Sequence, residues 1–163
     1  LDAARAVLDA NQREQWTVPS PKLYPHQWLW DSCFIAIGLR HYDTARAQQE
    51  LLSLLRGQWK NGMIPHITLT PNDEHWANAD FWQSGRSKYA PNIPTSGLTQ
   101  PPVLATATLL VSEKLDEANQ RIFLKQHQYF LFRDLFQPRV GLCARDKNRD
   151  CEFLAKHLTE LFH

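Results

Sequence analysis

Several features that would place this 163-residue chain in a specialised class are missing from its sequence. No run of about 18 apolar residues is present, which argues against a membrane-spanning helix. Residues 1–10 carry charges where a secretory signal peptide needs a continuous apolar core. The 18 Lys and Arg residues nearly balance the 17 Asp and Glu residues, which argues against a dedicated nucleic-acid or membrane-surface protein. We therefore expect a soluble, cytoplasmic protein that binds neither nucleic acid nor membrane.

Cysteine is also scarce and unpatterned. Cys33, Cys143 and Cys151 form no Cys-x-x-Cys pair and leave an odd residue over, so neither a zinc site nor a disulfide framework is indicated. His26 and His66 lack partners at metal-ligand spacing. We expect no metal and no organic cofactor.

Tryptophan is plentiful and unevenly placed. All six tryptophans lie between Trp16 and Trp82. Core tryptophans should be spread more evenly along the chain. Clustered in loop-like sequence, they indicate stacking surfaces, because an indole face suits the C–H face of a sugar ring.

Hydrophobic periodicity predicts an all-α chain. The expected helices are residues 2–15, 31–39, 44–58, 103–111 and 113–136. Asp31 and Ser32 would cap the second helix, Asp43 the third, and Pro101 and Pro102 would occupy the first turn of the fourth. Residues 33–39 also fit a buried strand on pattern alone, and the capping residues favour helix. Residues 64–100 show no periodicity and predict a long functional loop.

Three of these helices have one apolar side. The predicted stripes are Ala4, Val7, Leu8 and Asn11 in the first helix, Leu51, Leu52, Leu55 and Trp59 in the third, and Leu115, Ala118, Ile122 and Tyr129 in the fifth. On the third helix, the residues expected to face away are Arg46, Gln49, Glu50 and Arg56. The second and fourth helices are apolar nearly all round. This alternation predicts an inner and an outer layer, as in an α/α toroid.

Three polar and aromatic motifs should lie at one rim of that toroid. Residues 24–32 and 95–102 each end at the start of an inner helix, and residues 57–62 follow the antiparallel third helix back to the same end. The rim would present Trp28, Trp30 and Trp59 for stacking and Asp31, Gln58 and Gln100 for hydrogen bonding. Taken singly, Asp31 could be a helix cap and the tryptophans core residues. Together they favour sugar recognition.

The same motifs resemble glycoside hydrolase family 63 and its bacterial relatives, especially the mannosylglycerate and glucosylglycerate hydrolases. The similar runs are residues 24–32, 34–38, 57–66 and 94–102, within a matched region of about residues 3–107. The resemblance implies the amino-terminal part of a single (α/α)₆ barrel, with about five to six of twelve helices in residues 1–163 and a poorly matched tail at residues 137–163. It also implies that the sugar subsite is lined by Tyr24, Trp28, Trp30, Asp31 and Gln100.

The catalytic motifs of that family are not found in this sequence. Its general acid, an aspartate in a Gly-x-Asp-Asn-Ser-like motif, follows the matched region, and its general base, a glutamate, comes much later. We therefore predict no catalytic residue here. For the complete protein, the resemblance implies inverting hydrolysis of an α-linked glucosyl or mannosyl compound such as glucosylglycerate or mannosylglycerate, with this chain supplying the sugar-binding rim. The alternatives are a non-catalytic sugar-binding module, a helical interaction module and an inactive truncated product. The expected partners are a small carbohydrate and either the remainder of the barrel or a second copy of the chain.

Overall fold

The computed structural model describes residues 2–71 and 78–135. The secondary structure elements, in chain order, are α1 (Asp2–Ala10), β1 (Gln27–Trp28), α2 (Leu29–Leu39), α3 (Thr44–Leu55), β2 (Ile67–Thr68), α4 (Ala79–Trp82), a 3₁₀ turn (Ser84–Arg86), α5 (Leu104–Ser112) and α6 (Glu117–Leu135). The five helices expected from the periodicity are all present. The tail at residues 137–163 lies outside the described residues. Within the described part of the chain, no helix is long and apolar enough to cross a membrane.

The core forms where the two apolar helices meet the outer ones. α2 packs against α3 and α5, and α5 also packs against α3 and α6. The core residues on these helices include Cys33, Ala36, Leu39, Leu51, Leu54, Ala107, Val111 and Phe123. Residues 33–39 are helical, so the strand alternative is wrong. The near-uniform apolarity of α2 and α5 reflects neighbours on several sides rather than a pleated strand.

α1 ends earlier and buries less than its pattern predicts. Gln12 and Thr17 form an antiparallel bridge, and the N–H of Val18 donates to the carbonyl of Asn11 at 3.0 Å. The chain therefore reverses direction well before the predicted helix end. Of the predicted stripe, Leu8 packs against the core, whereas Val7 is 58% exposed.

α3 begins as predicted and carries an unexpected buried acid. The Asp43 side chain caps the helix, with Oδ1 accepting from the N–H of Arg46 at 2.9 Å. The helix stops at Leu55, and Trp59 lies beyond its end. Glu50 was expected to face solvent, but it is only 1% exposed and accepts a hydrogen bond from Ser32 on α2. A carboxylate with an internal donor can be accommodated in the interior, which periodicity alone does not reveal.

The last two helices also differ from prediction in detail. Pro101 and Pro102 precede α5, which begins only at Leu104. α6 begins after Asp116, whose side chain accepts from the N–H of Asn119 at 2.9 Å. Among its described side chains, those of Phe123, Leu124 and His127 are buried, whereas two members of the predicted stripe, Ala118 and Ile122, are exposed. α6 packs against α5 and α3, and His127 Nδ1 lies 2.9 Å from the carbonyl of Phe123.

Three extended segments join at one end of the helices. β1 and β2 pair antiparallel, with Gln27 opposite Thr68 and Trp28 opposite Ile67. Thr68 also bridges to Thr95, and the N–H of Ser96 donates to the carbonyl of Ile67 at 3.0 Å. The predicted long loop therefore contains regular structure that holds the 24–32 and 95–102 motifs together.

Candidate functional site

Asp31 lies in the first turn of α2. The helix begins at Leu29 with Trp28 as its N-cap, so Asp31 is its third residue and the predicted cap position is wrong. β1 runs directly into α2, and the extended backbone of Trp28 takes the cap position. Burial raises the pKa of the half-buried Asp31 carboxyl, opposed by hydrogen bonds from its own backbone and from the Trp30 side chain. An anion is favoured at a helix amino terminus, so this carboxylate is an acceptor held in a defined place.

Gln100 lies at the same end of α2 as Asp31. Its side-chain Oε1 accepts a hydrogen bond from the N–H of Trp30 at 3.0 Å. This bond satisfies one of the amide groups that a helix leaves unpaired in its first turn. Trp30 and Gln100, which are 70 positions apart in the sequence, are therefore adjacent in space, as the rim prediction requires.

Aromatic rings form a row beside this helix start, which we call the aromatic row: Tyr24, Trp28, His66 and Trp82. Successive ring centroids lie 5.4, 5.3 and 5.1 Å apart, and each pair meets edge to face. Tyr24 is 50% exposed at one end of the row. Trp30 is 41% exposed on α2 and lies 6.1 Å from the Phe34 ring. The row and Trp30 supply the apolar surface on which a pyranose can stack.

His66 is a member of the site that sequence reasoning did not assign to sugar binding. Its Nδ1 lies 2.6 Å from Ser96 Oγ, and its backbone N–H donates to the carbonyl of Leu98 at 2.8 Å. Burial lowers the pKa of the imidazole, so the ring is neutral near pH 7. The signal was available, because His66 is the last residue of the motif at 57–66.

Trp59 and Gln58 occupy positions that differ from the predicted rim. Trp59 is 8% exposed, and its indole N–H donates to Thr95 Oγ1 at 3.0 Å. Its ring is therefore packed inside the chain and offers no face on which a sugar could stack. Gln58 donates from Nε2 to the carbonyl of Gly62 at 2.7 Å, within the turn that follows α3. Gly62 has φ of 99°, so this turn uses a backbone conformation that favours glycine.

Among the described residues, carboxylates other than Asp31 are sparse at this rim. Asp80 is exposed on α4, and Asp73 and Glu74 lie outside the described residues. Across residues 2–71 and 78–135, no group of three or more His, Cys, Asp or Glu side chains is arranged to hold a metal ion. The chemistry of the described rim is that of positioning through one carboxylate, one amide and several aromatic rings.

Comparison with known proteins relates this rim to one group of enzymes. Residues 24–129 match the mannosylglycerate hydrolase MGH1-like glycoside hydrolase domain. The mannosylglycerate hydrolase of Rubrobacter radiotolerans is 45% identical over 117 residues, which cover 71% of this chain and 26% of the relative. The glucosylglycerate hydrolase of Mycolicibacterium hassiacum is 43% identical over 124 residues, which cover 68% of this chain and 26% of the relative.

A solved structure resembles the fold as well as the sequence. The GH63 mannosylglycerate hydrolase from Thermus thermophilus, crystallised with Tris and D-glycerate, aligns with a TM-score of 0.68 and 38% identity, covering 82% of this chain and 30% of that one. The helices described above are therefore part of an (α/α)₆-type barrel. The chain spans about a quarter of the length of the curated relatives it matches. The region that matches the family includes the whole rim, and the chain belongs to the MGH1-like family of glycoside hydrolase domains.

Proposed function

We propose that this chain forms a sugar-binding wall of a glycoside hydrolase that cleaves small α-linked mannosyl or glucosyl compounds, with mannosylglycerate and glucosylglycerate as the leading candidates. The observation that carries the proposal is the position of Asp31, in the first turn of α2 next to Trp30, whose N–H donates to Gln100, and on the same rim as the aromatic row. A carboxylate can accept hydrogen bonds from two adjacent hydroxyls while an indole stacks on the ring. The two relatives described above are named as hydrolases of mannosylglycerate and of glucosylglycerate.

The proposed role of each group follows from its surroundings. Asp31 accepts from sugar hydroxyls. Gln100 uses its carbonyl oxygen on Trp30, so the NH₂ group of the same amide is the part available to a ligand. Tyr24, Trp28 and Trp30 supply the apolar walls. Trp59 and Gln58 act indirectly in this proposal, because one is buried and the other holds its turn.

In the whole protein, bond cleavage would require two further carboxyl groups. One protonates the leaving oxygen and the other activates a water on the opposite face, at a separation of roughly 6.5–9.5 Å for inversion. Neither role is assigned to Asp31, because its place between a stacking indole and a helix start suits the fixing of hydroxyls. The chain described here would bind and orient the sugar without cleaving it. We also propose a cytoplasmic location for this activity, since the three cysteines form no disulfide framework.

A binding titration tests the proposal. The chain is titrated with mannosylglycerate and with glucosylglycerate while tryptophan fluorescence is recorded. Saturable quenching is expected, and Asp31→Ala should weaken binding by about 10- to 100-fold, the range for losing hydrogen bonds to a charged group. Asp2→Ala, which removes an exposed carboxylate from α1, is the matched control and should bind normally. Equal affinity of wild type and Asp31→Ala, or no saturable response to either glycoside, would overturn the proposal.

A further inference from the structure

Gln27 and Ser32 are the polar neighbours of two proposed sugar-binding residues, Trp28 and Asp31. Both form hydrogen bonds with residues of α3. Gln27 precedes Trp28 in β1, and Ser32 follows Asp31 in α2. Both side chains point away from the rim into the interface between α2 and α3, where each is at most 1% exposed. They meet at Glu50, which is itself 1% exposed.

The acceptors in this interface, beginning with the carboxylate of Glu50, determine the direction of each hydrogen bond. Ser32 donates to Glu50 Oε1 at 2.5 Å, and its oxygen can therefore accept from Gln27 Nε2 at 3.2 Å. Ser53 donates to the carbonyl of Glu50 at 2.7 Å and likewise accepts from Gln27 Nε2, at 2.6 Å. The Gln27 amide also faces the Glu50 carbonyl at 3.3 Å, so its orientation follows from the acceptors around it.

The carboxylate of Glu50 is fixed from its other side as well. The hydroxyl and the backbone N–H of Thr17 and the guanidinium of Arg46 lie close enough to stabilise its charge, which opposes the rise in its pKa. Thr17 is 1% exposed, so this side of the network is as deeply buried as the Ser32 side. Glu50 thus has partners in two directions, toward the rim through Ser32 and toward the outer surface through Thr17.

We propose that Glu50 is a positioning residue that holds Trp28 and Asp31 in their sugar-binding geometry through Gln27 and Ser32. The inference rests on the proposed function of the rim. Hydrogen bonds that fix the residues next to a binding group are important for affinity, because a binding group displaced by about 1 Å loses much of its contribution to binding. A carboxylate is suited to this position, since it accepts from several donors at once and fixes which way the Ser32 hydroxyl points.

Three variants of the chain separate positioning from general stability. Glu50→Ala removes the acceptor of Ser32. Glu50→Gln keeps an oxygen at that position and should rescue it. Thr17→Val is the matched control, because it removes an equally buried hydroxyl on the far side of Glu50 and leaves the Ser32 bond in place. All are compared at a temperature at which circular dichroism reports each to be fully folded.

The first measurement needs no ligand. Amide hydrogen exchange should accelerate about tenfold at residues 27–33 in Glu50→Ala, while residues 104–112 of α5 change far less. Glu50→Gln should exchange as wild type does in residues 27–33, and so should Thr17→Val. Unchanged exchange in Glu50→Ala, or an equal acceleration in Thr17→Val, would overturn the inference. Should Glu50→Ala not fold, Ser32→Ala cuts the same link and is expected to accelerate the same residues; no acceleration there overturns it equally.

The second measurement connects this geometry to the sugar. In the fluorescence titration with mannosylglycerate and glucosylglycerate, Glu50→Ala should raise the dissociation constant about tenfold, with Glu50→Gln and Thr17→Val near wild type. Normal affinity of Glu50→Ala would overturn the inference while leaving the proposed function intact. If wild type binds neither glycoside, the proposed function fails, and the exchange measurement still decides whether Glu50 holds residues 27–33.

Discussion

Glu50 gives the chain a pH-dependent stability that can be worked out in advance. Burial raises the pKa of this carboxyl from 4.5 to about 7, opposed by hydrogen bonds from Ser32 and Thr17 and by the charge of Arg46. Because the folded pKa lies above the unfolded one, Glu50 binds its proton more tightly in the folded chain. Its contribution to stability is fully present below pH 4.5 and is lost as the pH rises through 7.

The size of this effect follows from the two pKa values. One pH unit of pKa difference corresponds to about 1.4 kcal/mol, so a rise from 4.5 to about 7 is worth about 3 kcal/mol. Glu50→Gln cannot ionise. The free energy of unfolding of the variant, minus that of wild type, should therefore increase by about 3 kcal/mol between pH 4 and pH 8. A difference in the free energy of unfolding that is the same at every pH, such as one caused by a poorer fit of the amide against Thr17, does not alter this increase between pH 4 and pH 8.

Urea unfolding at several pH values provides the assay. Other groups that titrate, such as His127, whose pKa burial lowers to about 4, are common to both proteins and cancel in the difference. Glu14→Gln makes the same substitution at an exposed position and is the matched control. A difference between Glu50→Gln and wild type that stays constant from pH 4 to pH 8 would refute the argument that Glu50 is desolvated.

Three further predictions concern the frame of the site and its chemistry. Gly57→Ala would place a Cβ 2.5 Å from Thr68 Oγ1, so urea unfolding should show a free energy of unfolding that is lower by about 1–3 kcal/mol. In Gly38→Ala the added Cβ meets nothing within 4 Å, so this control should be neutral or stabilising. Asp43→Ala removes the α3 cap and should cost about 1 kcal/mol in the same assay; no loss would mean that the cap is dispensable. The chain alone should hydrolyse mannosylglycerate, glucosylglycerate and aryl glycosides no faster than background, because the described residues of the rim offer one carboxylate where two are needed. Clear turnover would contradict this.

The sequence by itself determined the five longer helices, and it predicts where the rim lies. Unbroken apolarity in residues 33–39 and 103–111, against one-sided patterns elsewhere, distinguishes helices with several packed neighbours from helices with one wet face. Polar and aromatic motifs that end where α2 and α5 begin must share one end of the molecule if those helices run in parallel. The adjacency of Gln100 and Trp30 agrees with that expectation.

Only the tertiary structure decided which members of each motif are exposed. Trp59 and Trp30 have the same side chain and both stand in predicted rim motifs, yet the first is buried against Thr95 and the second is 41% exposed. Glu50 is one of the residues that pattern analysis assigns to solvent, yet it is buried, and its hydrogen-bond donor Ser32 comes from another helix, 18 positions away in the sequence. Periodicity records the average character of a helix face. A buried polar group depends on partners that only the packed chain brings within hydrogen-bonding distance.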